Sequence, residues 1–457
     1  MPDATHSPAD SSLLGPLLTK LAPIERHEIP AAVAAFCLFF CVLGGYFAVR
    51  PVRETMGTLL GRDRVADLFV ATWIASLAIV PFYGAIVARF RRSAFLPWTY
   101  GFVAVSLALV GLALRTEEAD VAVGQFFYVF ISVLNLFLVS VFWSFLLELF
   151  DSGQTKRLFG VIAAGGTAGA LLGPMITDLT VRIIGNSGVL FMGASLFVVA
   201  ILCQRVLLNI WSSGRGPRGA DAAGVPAVRD KAIGGNPLAG FRLVLRSPYL
   251  LGIALFVVLL ATANTFLYFE QLRLVEETFT ETEARTRVFA RIDWIVQSIT
   301  IIAQIFVTGR VASRLGLVVL LAIVPVAMIF GFLALAMWNT FAVLAIVMVM
   351  RRAGEYALVR PGREMLFSRL DNETKYKAKN LIDVPVYRGA DALAAQALRA
   401  LEAGRFGAAV VAVMGAGLAA IWAANGWWLG RHHDAASSPA TGTLTSTARA
   451  RPISARP

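Results

Sequence analysis

YFAVRPVRETM, residues 46–56, closes the first long apolar run of the chain, and a near copy, YALVRPGREML, returns at residues 356–366. Six of the eleven aligned positions are identical, including the frame Arg-Pro-x-Arg-Glu. Arg50 and Arg53 are three residues apart and Arg50 and Glu54 four, so a helix carries all three on one face. Arg360, Arg363 and Glu364 repeat that spacing, and Pro51 and Pro361 should loosen each helix by removing a backbone donor. Ionisable groups inside apolar helices are costly and mark substrate or ion paths. A pair of such motifs therefore points to a transport path, against the simpler reading of arginines snorkelling at the membrane surface.

The rest of the chain fits a membrane setting. Of 457 residues, 57% are hydrophobic and 15% charged, and the mean hydropathy is +0.70. A soluble domain would carry roughly a quarter charged residues. Apolar runs long enough to cross a bilayer fall near 30–56, 66–88, 95–114, 121–150, 158–184, 187–210, 248–271, 288–308, 316–337, 340–366, 380–401 and 405–429. The fold class expected is all-α and polytopic, with twelve transmembrane helices in two pseudo-symmetric six-helix bundles. The eleventh run carries Asp383, Arg388, Asp391 and Arg399 and can be a span only if it faces protein or water.

Residues 211–247 are rich in Gly, Pro, Ala and Arg and read as a cytoplasmic linker between bundles at 30–210 and 248–430. Residues 1–29 form a polar tail without a signal-peptide core, and 431–457 read as a disordered tail. The net charge of +12 could suggest nucleic acid, but the basic residues sit in short loops: RFRR (89–92), TKR (155–157), the linker, GRVASR (309–314) and KYKAK (375–379). The opposite loops hold RTEEAD (115–120) and EETFTETEAR (276–285). By the positive-inside tendency both termini face the cytoplasm, in a bacterial inner membrane, and no nucleic-acid partner is expected.

Depth refines the repeat. Arg50 lies twenty residues beyond Pro30, roughly 30 Å along a helix, and Arg360 lies twenty beyond Thr340 on a span running the other way. The two copies should sit toward opposite membrane faces, as inverted repeats would place them. Deeper charges follow at Arg351, Arg352 and Glu355, and Glu270 and Asp293 are candidate coupling carboxylates beside Arg273 and Arg291. Asn135 in the fourth span is a candidate polar contact. Arginine presents a planar fork suited to phosphate or carboxylate, so the substrate expected is a small anionic molecule. Cys37, Cys41 and Cys203 lie in apolar runs and the four histidines outside them. Neither a disulfide framework nor a histidine metal site is expected, and no cofactor or nucleophile–base pattern of an enzyme is present.

GAIVARFRR from Gly84 and GRVASRLG from Gly309 each place an arginine five residues after a glycine, after spans two and eight. With two six-helix halves and a basic linker, this resembles the major facilitator superfamily. GVIAAGGTAGALLGP (160–174) lacks the G-K-[ST] of a phosphate-cradling loop. It suits close helix packing and resembles a span-five motif of major-facilitator antiporters, with Thr177-Asp178 in place of its final glycine pair.

Tyr46, Arg50, Arg53 and Glu54, then Pro361, Arg363, Glu364 and Met365, and then Lys375, Lys377, Lys379, Ile382 and Asp383 are similar to motifs of the ATP:ADP antiporter family of plastids and obligate intracellular bacteria. Glu270 would match that family's seventh-helix glutamate. The resemblance implies exchange of nucleoside tri- and diphosphates. Arg50, Arg53, Arg351, Arg352, Arg360, Arg363 and Asn135 would then hold substrate. Glu54, Glu270, Asp293, Glu355, Glu364, Lys377, Lys379 and Asp383 would gate or couple. The chain departs from the family in having no acid inside ISVLNLFLVSVFWSF (131–145) and arginine for the motif lysines. The alternatives are a proton-coupled permease for another solute and a non-transporting membrane scaffold; a monomer is expected.

Overall fold

The computed structural model describes residues 25–89, 92–116, 121–212 and 237–435. Most of the two predicted tails, residues 213–236 of the predicted linker, residues 90–91 of the RFRR loop and 117–120 of the acidic loop lie outside the described residues. Every regular element among the described residues is helical, the solution that satisfies backbone donors and acceptors within a segment when no water is near.

The helices are α1 (Ile29–Leu60), α2 (Arg62–Arg89), α3 (Arg92–Ala113), α4 (Val121–Leu149), α5 (Ser152–Ser212), α6 (Pro237–Arg246), α7 (Pro248–Thr278), α8 (Thr282–Ala303), α9 (Gly309–Met337), α10 (Phe341–Gly354), α11 (Arg360–Leu366), α12 (Asn372–Leu381), α13 (Tyr387–Ala403) and α14 (Ala408–Ala435). Three π-helical turns, Gln304–Thr308, Glu355–Val359 and Ile382–Val386, lie between α8 and α9, α10 and α11, and α12 and α13. Among the described residues, seven helical runs are long and apolar enough to cross a membrane. The segment read as an unstructured linker is partly ordered: α6 occupies its last residues and buries Val244. Pro30 and Pro248 sit in the first turns of α1 and α7, where the missing N–H costs nothing.

Helix α5 has 61 residues, about 90 Å if straight, three times a hydrocarbon core of about 30 Å. It turns back at Gly185, whose φ of 67° and ψ of 175° are open to glycine and strained for other residues. Its first limb runs parallel to α1: Gly165 meets Phe36, Gly169 meets Phe40 and Gly44, Gly173 meets Gly44 and Ala48, and the Thr177 hydroxyl donates to the Ala48 carbonyl. Its second limb runs antiparallel, with Gly193 against Val49 and Phe197 against Gly45. In the second half Gly316 (φ 75°) has the same role in α9. Beyond it Leu317–Leu321, Val324 and Gly331 meet Gly362, Gly354 and Val347 in reverse order.

Two apolar clusters result. One gathers residues between Ala31 and Leu207, the other mainly residues between Val244 and Leu429, with Leu60, Val65, Ala66, Leu68 and Tyr128 joining it from the first half. Trp143 belongs to packing: it contacts Phe39, Phe142 and Phe159.

The α1–α5 contact is backbone against backbone, because a Cβ at Gly169 would lie 2.4 Å from the Phe40 carbonyl oxygen and 2.8 Å from the Gly44 nitrogen. Gly169→Val should therefore lower the melting temperature of the solubilised protein by roughly 5 °C or more. Gly160→Ala, whose Cβ meets nothing within 4 Å, should leave it unchanged. Scanning fluorimetry on the two variants checks this.

Candidate functional site

A cavity of about 820 Å³ opens between the two halves. Seven arginines line it, Arg50, Arg53, Arg351, Arg352, Arg360, Arg363 and Arg388, with five carboxylates, Glu54, Asp293, Glu355, Asp383 and Asp391. The wall thus carries two positive charges in excess. The remaining lining mixes aromatic and polar residues, including Tyr46, Phe69, Tyr128, Asn135, Tyr268 and Tyr387, with aliphatic ones such as Leu43, Val139, Ile301 and Met348. On insertion scales a lone charge at the centre of a membrane helix costs ~3 kcal/mol, so the pairing of these groups decides whether the wall can exist.

Each of the seven arginines has a carboxylate within 4 Å. Arg53 Nη2 donates to Glu54 Oε1 at 2.5 Å and its Nη1 to Ser132 Oγ at 2.9 Å, with the guanidinium 5.0 Å from the Tyr128 ring centre. Arg50 is 3.5 Å from Glu54 and 3.6 Å from Asp293 Oδ2. Asp293 Oδ1 is 2.6 Å from Arg352, Glu355 is 2.8 Å from Arg351 and 3.5 Å from Arg360, and Asp383 is 3.2 Å from Arg363. Asp391 accepts from the Thr265 hydroxyl at 3.0 Å and lies 3.6 Å from Arg388.

The two motif copies face one cavity without being mirror images. Helix α1 runs on to Leu60 and stays α-helical through Pro51. Arg50, expected toward one membrane face, lies ten residues short of the helix end and lines the cavity. Contacts along α8 and α10 put Asp293 and Arg352 level with Arg50, and Arg360 and Arg363 two to three turns further from the Leu60 end. Pro361 is accommodated by the π turn Glu355–Val359. A proline crowds the carbonyl four residues earlier; here that carbonyl, of Ala357, accepts from the Thr308 hydroxyl at 2.8 Å instead. The pairing differs from the one that sequence spacing suggests, although Arg360 and Glu364 share α11. Arg360 stacks on Tyr356, 4.4 Å from ring centre, and Glu364 faces out to Lys379 at 2.6 Å.

Of the residues singled out from sequence, Arg50, Arg53, Glu54, Asn135, Asp293, Arg351, Arg352, Glu355, Arg360, Arg363 and Asp383 come together at the cavity. Glu364, Lys377 and Lys379 are outside it, with Lys377 paired to Glu373. Glu270 is also outside, bonded to Arg273, in a separate hollow of about 300 Å³ shared with Arg62 and Glu402.

Sequence reading missed the seal. Polar contacts between the halves cluster toward the Leu60 end of α1. Asp178 of α5 accepts from Arg287 Nε, Arg291 Nε and Trp294 Nε1 of α8, at 3.1, 3.1 and 3.0 Å. Thr286 bonds Thr55 and Asn186, both at 2.7 Å, and Arg285 donates to Thr58 at 3.0 Å. Arg62 meets Glu402 at 2.5 Å and Arg399 meets Asp67 at 2.8 Å. Tyr128 and Tyr268 join hydroxyls at 2.7 Å beneath this layer. Helical spacing gave no signal of it, because Arg182, four residues after Asp178, offers a partner on the same helix.

Two helical halves, sealed together at one end and parted by a charged cavity, define a membrane transport protein. The family model for the Major Facilitator Superfamily matches residues 25–363, and the chain belongs to that superfamily. It is similar to ADP,ATP carrier protein 1 of Chlamydia muridarum and of Chlamydia trachomatis, 23% identical to each over 438 residues that cover 82% of either chain. Its fold is similar to that of a bacterial homologue of the iron transporter ferroportin in an inward-facing state (TM-score 0.62, 12% identity, covering 86% of this chain and 99% of that one). The nucleoside transporter NupG is comparably close in fold (TM-score 0.60, 14% identity, covering 89% and 99%).

Asp178 gathers three donors from the opposite half, so Asp178→Asn should weaken the seal. Spin labels at the exposed positions Leu59 and Glu281, in a background lacking the native cysteines, report it: the variant should move the distance distribution to longer values. An unchanged distribution would assign the seal to the other contacts.

Proposed function

We propose that this protein exchanges anionic, phosphorylated metabolites, nucleoside di- and triphosphates above all, across a bacterial inner membrane by alternating access. The observation that carries this reading is the arginine excess of the shared cavity, seven guanidiniums against five carboxylates. An uncharged or cationic solute would meet a repulsive or indifferent wall; a phosphate chain meets forked donors that match its oxygens. The volume of about 820 Å³ lies in the range of small-molecule sites. Tyr46, Tyr128, Tyr268, Tyr356 and Tyr387 on the wall provide faces on which a base can stack. The similarity to ADP,ATP carriers over 82% of the chain agrees in direction.

Twelve crossings in bundles at 30–210 and 248–430 joined by 211–247, with both termini cytoplasmic, would make the sealed end periplasmic and the cavity open to the cytoplasm. Substrate then enters past Arg360 and Arg363, reaches Arg50, Arg53 and Arg352, and loosens the cross-half contacts as the arginines exchange carboxylate partners for phosphate. Glu54, Asp293, Glu355 and Asp383 neutralise the arginines when the cavity is empty.

Proteoliposomes test the proposal. Uptake of labelled ADP should need internal nucleotide and ignore an uncoupler, and Arg53→Gln should lower it by about tenfold or more. Uptake abolished by an uncoupler and indifferent to internal nucleotide would instead favour a proton-coupled permease for another solute.

A further inference from the structure

The carboxylates of the cavity are not equivalent. Glu54, Glu355 and Asp383 each hold arginines of their own half. Asp391 also stays within its half, bonded to Thr265 and near Arg388. Asp293 alone among them stands between an arginine of each half. Its Oδ1 binds Arg352 Nη1 at 2.6 Å, while Oδ2 faces Arg50 Nη1 at 3.6 Å, beyond hydrogen-bond length, and has no hydrogen-bond partner. Arg352 Nη2 is likewise buried with no acceptor. The aspartate is 3% exposed and Arg352 5%, so these are buried groups without a protein partner, where an unmade hydrogen bond is costly.

Asp293 thus sits between two guanidiniums, one from each half, and satisfies neither fully. A phosphate entering from the cavity would draw on the same Arg50 and Arg352 once those side chains shift toward it. It would also lie against Asp293 Oδ2, so the carboxylate and the phosphate compete for the same two cations.

We propose that Asp293 sets the charge of the substrate this cavity selects: it is an internal anion that the terminal phosphate must outbid, and it lowers the preference for the more highly charged member of a nucleoside phosphate series. The inference rests on the exchange reading above. Removing Asp293 raises the excess positive charge of the wall from two to three, and removing Arg352 lowers it to one. The two changes must therefore move selectivity in opposite directions. Loss of packing or of general stability would move ATP, ADP and AMP together and leave their ratios alone.

The test uses the full-length solubilised protein and competition by ATP, ADP and AMP against labelled ADP, without magnesium and at one pH and ionic strength. Asp293→Asn should raise the ATP-to-ADP affinity ratio by about tenfold, the scale of one added unit charge a few ångströms away in a partly screened site. Arg352→Gln should lower it, and Asp293→Glu should stay near the wild-type ratio. Ratios unmoved in both charge-changing variants, or moved the same way, would overturn the inference. Should Asp293→Asn fail to fold, Arg352→Gln still decides by the sign of its shift. A wild-type protein that binds none of the three nucleotides would overturn the exchange reading itself, a different outcome from nucleotide binding with unshifted ratios.

Discussion

Five carboxylates shared among seven arginines are the constraint at the centre of this structure. A guanidinium inside an apolar bundle needs a counter-charge close by, and each of these arginines finds one within 4 Å. The supply is one-sided. Glu54 serves both Arg50 and Arg53, Asp293 both Arg50 and Arg352, and Glu355 both Arg351 and Arg360. The wall is compensated well enough to exist within a membrane protein and poorly enough to attract an anion. Buried guanidinium nitrogens without a partner on Arg53, Arg351, Arg352 and Arg363 are where that under-compensation is visible atom by atom.

The packing around the centre serves the same end. Glycine contacts join α1 to both limbs of α5 with backbones nearly touching, so α1 presents Arg50, Arg53 and Glu54 from a rigid support. The second half places its arginines on a less regular element, where the π turn Glu355–Val359 and its partner Gln304–Thr308 face each other through side-chain bonds to carbonyls. Such turns inside helices are frequent at functional sites. The halves touch through polar groups and tyrosine hydroxyls toward one end of α1, contacts that can be remade, and through the few first-half residues, Leu60, Val65, Ala66, Leu68 and Tyr128, that join the apolar cluster of the second half.

Much of this was legible in the chain. The apolar runs, the two motif copies and the charges at 293, 351, 352 and 355 announced a polytopic bundle with a charged path, because ionisable residues are conspicuous against an apolar background. The motif geometry was legible only in part. Helical spacing paired Arg360 with Glu364, but Arg360 turns back to Glu355 and Tyr356, and Glu364 turns to Lys379. Helix length was also underread: four residues beyond Met56 keep α1 going, so Arg50 lies further from the helix end than the span 30–56 placed it. The seal at Asp178 was beyond sequence reading, because its partners lie more than a hundred residues away on α8. Spacing reveals partners on the same helix and is silent about partners across a pathway.

If the arginine excess is what selects the substrate, the phosphate chain and not the nucleoside carries recognition. Isothermal titration of the purified protein with ADP and with adenosine, at low and at high salt, measures this directly. The account predicts that ADP binds, that added salt weakens it, and that adenosine binds far more weakly or not at all. Adenosine binding as tightly as ADP, with no dependence on salt, would contradict it.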